Sequence, residues 1–331
     1  MIIFIVDCQN GNGHLARSIA LASKLKSLSD ITLIGKNIDK KYIYKINFIK
    51  FINTEKNIED KALDFISENK SFVKTVVIDG YKFSNELKNK IVSLGIRLCI
   101  FDDFEIDCKL SNFMIKPHLS VHKYPILKTN SNFFQKKQHP LIRDDLKFIQ
   151  NKNNKLSNQI SVILGEGLNR NKFENIIKCI SKLTKYKIKI FFSHYTAYSK
   201  IISSKFKKMS KSHVLINANN FIFSNEIKRS KLIICSSSTS ALETYYYKKI
   251  IFPICTVPNQ EKIFEAFQKN LDYKGINFCN EISLLKFMIN FNNYKKKTTN
   301  KSKPRTTFTY QKIRDEEYYK SLFNFLSQKK D

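Results

Sequence analysis

The sequence is short of the marks that identify several protein classes. Its seven cysteines include no CxxC pair, so neither a zinc ribbon nor a thioredoxin-like redox centre is expected. An odd number without a disulfide framework fits a reducing, cytoplasmic setting. Cys99, Cys235 and Cys255 lie in apolar runs, where a thiol acts as a small core side chain. His118, His122, His139, His194 and His213 show no metal-ligand spacing, and no metal or cofactor is expected. No apolar run approaches the length of a bilayer span. The opening run from Met1 to Asp7 has no basic segment before it and reads as a first strand, not a signal peptide.

Acidic residues are also scarce: 28 against 58 Lys and Arg, a formal charge of +30. Such an excess suits phosphate-rich partners. The lysines, however, are spread from Lys24 to Lys330 among many Ile and Asn, which reads as a general compositional bias. Zinc-finger spacing, RNP-like aromatic strands and basic heptads are all missing, so nucleic acid is not the expected partner. A basic surface is compatible with attracting a phosphorylated ligand or touching anionic lipid, although a membrane contact is not required. The oligomeric state is left open.

What is present is an apolar content of 42% carried along the whole length, enough for two cores in 331 residues. In the first half, apolar runs at 2–6, 31–34, 48–52, 76–79 and 96–101 predict strands, with helical spacing at 15–28, 58–66 and 84–94. Ser84 is the expected cap of the last helix. The polar stretch 148–158 predicts a linker, after which strands are expected at 160–164, 188–192, 214–216, 232–235, 250–254 and 276–278. Strands apolar on both faces, alternating with helices, predict parallel sheets covered by helices. The expected organisation is an N-terminal Rossmann-like domain at 1–148, a second at 159–292, and a basic linker with a closing helix at 293–331.

Candidate chemistry gathers where strands end. Residues 10–17, Asn-Gly-Asn-Gly-His-Leu-Ala-Arg, join the first strand to the first helix. Gly11 and Gly13 allow a tight turn and close approach of a ligand, and the helix start offers N–H groups to an anion. Ala16 occupies the third glycine position of the dinucleotide fingerprint, so that motif is not matched. His14 at the helix start is suited to proton transfer near neutral pH; a capping histidine with its ring in solvent is the structural alternative. Asp79-Gly80-Tyr81 and Asp102-Asp103 end strands at the edge where parallel sheets bind ligands, or simply make turns. Ser236 to Ser240, followed by Ala241, Leu242 and Glu243, are placed like a phosphate cradle at a helix start, and equally like ordinary capping. Glu243 could accept hydrogen bonds from a ribose diol. Asn259 and Gln260 can read sugar hydroxyls, or cap a helix. Gly165-Glu166-Gly167 forms another flexible loop after a strand.

Together these runs resemble the UDP-2,4-diacetamido-2,4,6-trideoxy-β-L-altropyranose hydrolases of pseudaminic acid synthesis. The likeness lies in residues 10–17, Ile78-Asp79-Gly80-Tyr81, Phe101-Asp102-Asp103, the run from His139 to Asp145, the glycines at 165 and 167, residues 236–243 and Pro258-Asn259-Gln260. The second half is similar also to the glycosyltransferase that makes the lipid intermediate of peptidoglycan. The resemblance implies a GT-B type α/β fold, two Rossmann-like domains with parallel sheets facing across a cleft. It implies metal-independent hydrolysis of a UDP-linked 2,4-diacetamido-2,4,6-trideoxy sugar, releasing UDP and the free sugar. His14 would activate water and Tyr81 would stand beside the substrate. Gly11, Gly13, Arg17 and Gly165 would line the substrate, Ser238 and Thr239 the diphosphate, Glu243 the ribose, and Asn259 with Gln260 the sugar and its amides. The family's second-lobe aspartate is replaced by Leu168, and the loop from Asp7 to Gly11 is shorter than usual, so the sugar's identity stays open. The alternative is a UDP-sugar-dependent glycosyltransferase of the same fold, with the basic segment 295–305 as a membrane-surface contact.

Overall fold

The computed structural model describes residues 1–8, 13–36, 38, 50–55, 57–101, 103, 110–111, 113–115, 141, 158–164, 170–181, 186–192, 197–207, 212–216, 220–246, 249, 251–271 and 275–277. They form two compact units, the first carrying strands β1–β6 and the second β7–β12.

The first unit runs β1 (Ile2–Asp7), α1 (Gly13–Leu25), β2 (Ile31–Lys36), β3 (Lys50–Thr54), α2 (Ile58–Glu68), β4 (Thr75–Asp79), α3 (Asn85–Ser93), β5 (Arg97–Phe101) and β6 (Phe113–Ile115). Its strands are parallel in the order β3-β2-β1-β4-β5-β6. Alternation along β1 builds two cores. Ile2, Phe4 and Val6 pack with Leu15, Leu21 and Leu25 of α1 on one face. Ile3 and Ile5 pack with Ile58, Phe65 and Ile66 of α2 and Leu87 and Ile91 of α3 on the other. A strand buried on both faces needs a continuous apolar run, and that is what residues 2–6 supply. Each fully buried side chain of this size contributes roughly 1.5–3 kcal/mol.

The second unit runs β7 (Gln159–Ile163), α4 (Arg170–Ser181), β8 (Lys187–Phe192), α5 (Ala197–Lys207), β9 (Ser212–Ile216), α6 (Asn220–Arg229), β10 (Leu232–Ser236), α7 (Thr239–Tyr246), β11 (Ile251–Cys255), a 3-10 turn (Pro258–Gln260), α8 (Glu261–Leu271) and β12 (Ile276–Asn277). Its parallel order is β12-β11-β10-β7-β8-β9. Counted from β7, this is the same winding as in the first unit. In each, the order reverses beside the first strand, between β1 and β4 and between β7 and β10, and ligands bind beyond strand ends at such a point.

The expected strands are present, with ends moved by one or two residues. The short strand β6 was not anticipated. The linker at 148–157, the basic segment 293–307 and the closing helix at 313–326 lie outside the described residues. None of the described helices is long and apolar enough to cross a membrane.

Candidate active site

The first unit assembles a buried polar cluster at its switch point. On α1, His14, Arg17 and Ser18 follow the i, i+3, i+4 spacing that puts side chains on one helix face. That face meets the end of β4, where Asp79 pairs in register with Val6 of β1. His14 Nδ1 lies 2.5 Å from Asp79 Oδ1. Arg17 Nε donates to Oδ1 and Oδ2 of Asp79 at 3.1 and 2.9 Å, and Nη2 to Oδ1 at 2.5 Å. Ser18 Oγ donates to Oδ2 at 2.8 Å. The same guanidinium reaches Asp103, just past β5, with Nη1 to Oδ1 at 2.6 Å and Nη2 to Oδ2 at 2.8 Å. Its Cζ stands 4.9 Å from the centre of the Phe101 ring. Exposure is 0% for Asp79, 4% for Arg17, 7% for His14 and 8% for Asp103, so water contributes little to solvating these charges and they must solvate one another.

The pairing decides the charge states. Burial alone would push the Asp79 carboxyl up, but the charge of Arg17 and the hydrogen bonds from Arg17 and His14 outweigh it and hold the group below the usual carboxylate range. Burial would likewise lower Arg17; Asp79 and Asp103 reverse that and hold it well above its usual value. An ionised Asp79 accepts hydrogen bonds only, so the Nδ1 that touches it carries a proton. The 2.9 Å approach of Arg17 Nη2 to that same Nδ1 then sets two donors side by side on one oxygen and is not a hydrogen bond between them. With Nδ1 protonated and His14 neutral, Nε2 holds the ring's lone pair.

Two neighbours shape this arrangement. The Tyr81 ring meets the His14 imidazole edge-on at 4.5 Å between centres. A Cβ on Gly80 would come within 2.6 Å of the Phe83 ring and 3.0 Å of Asp7 Cβ, so a glycine is needed for the chain leaving Asp79 to pass this close. Cys8, beneath the cluster, has its thiol pushed up to about 12 by burial and then by the charges of Asp79 and Asp7. It is a protonated packing residue at neutral pH.

The second unit presents a hydroxyl-rich turn at its own switch point. Ser236 ends β10, the Ser237 amide donates to Ile254 O at 2.8 Å, and the Ser238 amide to Ser236 O at 2.8 Å. Ser238 O then accepts from Ala241 and Leu242 at 2.9 and 3.3 Å, which starts α7. Thr239 and Ser240 are the first two residues of α7, where main-chain N–H groups lack a partner within the helix and lie at the positive end of its dipole. Ser236 Oγ and Ser238 Oγ are 3.0 Å apart, while Ser237 Oγ is buried without a hydrogen-bond partner. Glu243 lies one turn into α7 and is buried. On the turn after β11, Gln260 Oε1 accepts from both the amide and the hydroxyl of Thr256 at 2.9 Å. That fixes the side chain and leaves its NH2 as the group to offer a ligand. Asn259 beside it is half-buried.

Of the residues singled out in the sequence, His14, Tyr81 and Arg17 therefore meet in the first unit, and Ser238, Thr239 and Glu243 share one turn of the second. Gly13 is the exposed first residue of α1. Gly11 and Gly165 lie outside the described residues, as do Asp102 and the histidines at 118, 122, 139 and 194. Arg17, expected against the substrate, is turned onto Asp79 and Asp103. Ser18 was missed, although its spacing from His14 and Arg17 was the available signal. Among the described residues no group of three or more His, Cys, Asp or Glu is placed to hold a metal ion.

No known family model matches the sequence, and no curated protein is detectably similar to it. Solved structures are similar in fold. MurG of Acinetobacter baumannii shares 11% identity over 98% of both chains with a TM-score of 0.56. A UDP-glucosyltransferase from Polygonum tinctorium, capable of glucosylating indoxyl, shares 11% over 99% of both at 0.66. S. aureus MnaA, solved with UDP, shares 12% over 82% of this chain and 88% of its own at 0.56. These likenesses, with the strand order of both units, define the fold as GT-B, made of two Rossmann-like domains.

Proposed function

We propose that the protein cleaves a UDP-sugar at its anomeric carbon and passes the glycosyl group to a hydroxyl, with His14 as general base. The observation that carries this is the buried Asp79, which fixes the proton on His14 Nδ1 and leaves Nε2 basic. In the step, a hydroxyl oxygen bonds to C1 while the C1–O bond to the diphosphate breaks. The hydroxyl proton goes to Nε2, and the bonding electrons leave with UDP. Taking up that proton changes the formal charge of the His14, Arg17, Asp79 and Asp103 cluster from one negative to zero, a change that burial favours. The Thr239 and Ser240 amides are suited to the charge appearing on the leaving diphosphate, Glu243 to the ribose, and the Asn259 and Gln260 amides to the sugar.

Transfer to an organic acceptor is favoured by the fold neighbours, several of which are sugar-transferring enzymes by their descriptions. Hydrolysis, with water as the hydroxyl, is favoured by the order of sequence motifs from residue 10 to residue 260 that resembles the diacetamido-sugar hydrolases. UDP release from a panel of UDP-sugars, followed with and without alcohol acceptors, separates the two. Release that needs an acceptor is the expected result for the transferase, and equal release in water alone identifies the hydrolase. Absence of turnover on every UDP-sugar would refute both.

A further inference from the structure

In the step above Asp103 enters only through the summed charge of the cluster, yet it is buried in a bidentate pair with Arg17. We infer that Arg17 and Asp103 are positioning residues that set the catalytic His14–Asp79 pair, an inference that rests on His14 being the base. Held by an imidazole alone, the Asp79 carboxylate could turn about its last torsion, and the imidazole proton could sit on either nitrogen. Arg17 removes that freedom, because Nε and Nη2 grip both carboxylate oxygens at once and Ser18 Oγ fixes Oδ2. Oδ1 is thereby kept towards Nδ1. The guanidinium plane is fixed in turn by Asp103 on its far edge and by the Phe101 ring near Cζ. Nε, both protons of Nη2 and one of Nη1 are committed to these two carboxylates.

Charge gives Asp103 a second part. Arg17 and Asp79 alone would be neutral. Asp103 adds the one negative charge that the cluster keeps until His14 takes a proton, so it favours the imidazolium formed during reaction. Lysine could not replace Arg17, since a single ammonium cannot present two edges to two carboxylates.

The test compares Asp103→Asn and Arg17→Lys, each alone and combined with His14→Ala, by steady-state kinetics and thermal melting. Asp103→Asn is nearly isosteric and is the variant expected to keep its fold. Its kcat should fall by about 10²-fold. Its KM for the UDP-sugar should be unchanged, and in the His14→Ala background it should cause no further loss. An unchanged kcat, or an equal fall with and without His14, overturns the positioning role. If His14→Ala alone keeps full activity, the base assignment fails first, which is a separate result.

Discussion

An imidazole that shares its carboxylate with a guanidinium is held more firmly than one paired with a carboxylate alone. Three charged side chains are packed below one-tenth exposure, and such a cluster is stable only when every member is matched. Asp79→Asn leaves Arg17 with one carboxylate and should cost about 3–5 kcal/mol of stability. Because the folded-state value of Asp79 lies below its unfolded value, its contribution is complete above the unfolded pKa of about 4 and is lost as pH falls through the folded one. Urea titrations across pH should therefore show an acid-side loss in the parent that shrinks in the Asp79→Asn variant. Identical acid slopes in the two proteins would contradict the ion pair's role. Much of this site was legible: His14, Asp79 and Asp103 were all found at strand ends or a helix start. The direction of Arg17 was not, because a guanidinium seven residues after a glycine-rich turn begins can reach outward to phosphate or inward to carboxylate. Only the three-dimensional meeting of β4 and β5 decides between them.

At the scale of elements, Ser84 does more than the cap read from the sequence. Its Oγ accepts from the Leu87 amide at 3.1 Å and donates to Glu59 Oε2 at 2.5 Å, while its own amide donates to Glu59 Oε1 at 2.7 Å. The starts of α2 and α3 are thus tied together through one serine. Ser84→Ala should cost about 1–2 kcal/mol by chemical denaturation, and a loss below a few tenths would show the tie to be idle. At the start of α7, Ser237→Ala should act in two directions. Removing a buried hydroxyl that has no partner should raise the melting temperature of the ligand-free protein, by about 1 kcal/mol in stability. The stabilisation gained from added UDP should become smaller. A variant that melts lower and responds fully to UDP would remove Ser237 from the diphosphate site. Strands such as β1 and β10 were readable because burial on both faces demands unbroken apolar runs. The strand β6, only Phe113–Ile115, is too short to show any period. Asn259 and Gln260 in the 3-10 turn at 258–260 were read as contacting a sugar or capping a helix. That Gln260 also closes onto Thr256 is a contact four residues away, which composition does not reveal.

For the whole molecule, one winding order serves both units although no internal sequence repeat is evident. Topology here follows from the number and spacing of apolar runs and from right-handed crossovers, and the identities of the residues are free to diverge. The proposed chemistry is divided accordingly: the groups assigned to proton transfer belong to the first unit and the amides assigned to the diphosphate to the second. The two parallel α/β sheets were readable from alternation and the GT-B type from the family resemblance, whereas the nucleophile that a GT-B enzyme uses is not a property of its sheets. The most direct measurement is UDP release by the parent and by His14→Ala on the best UDP-sugar found, beside calorimetric titration of both with UDP. Turnover should fall by about 10²–10⁴-fold in the variant while UDP affinity is retained. Undiminished turnover in His14→Ala would contradict the role given to the imidazole.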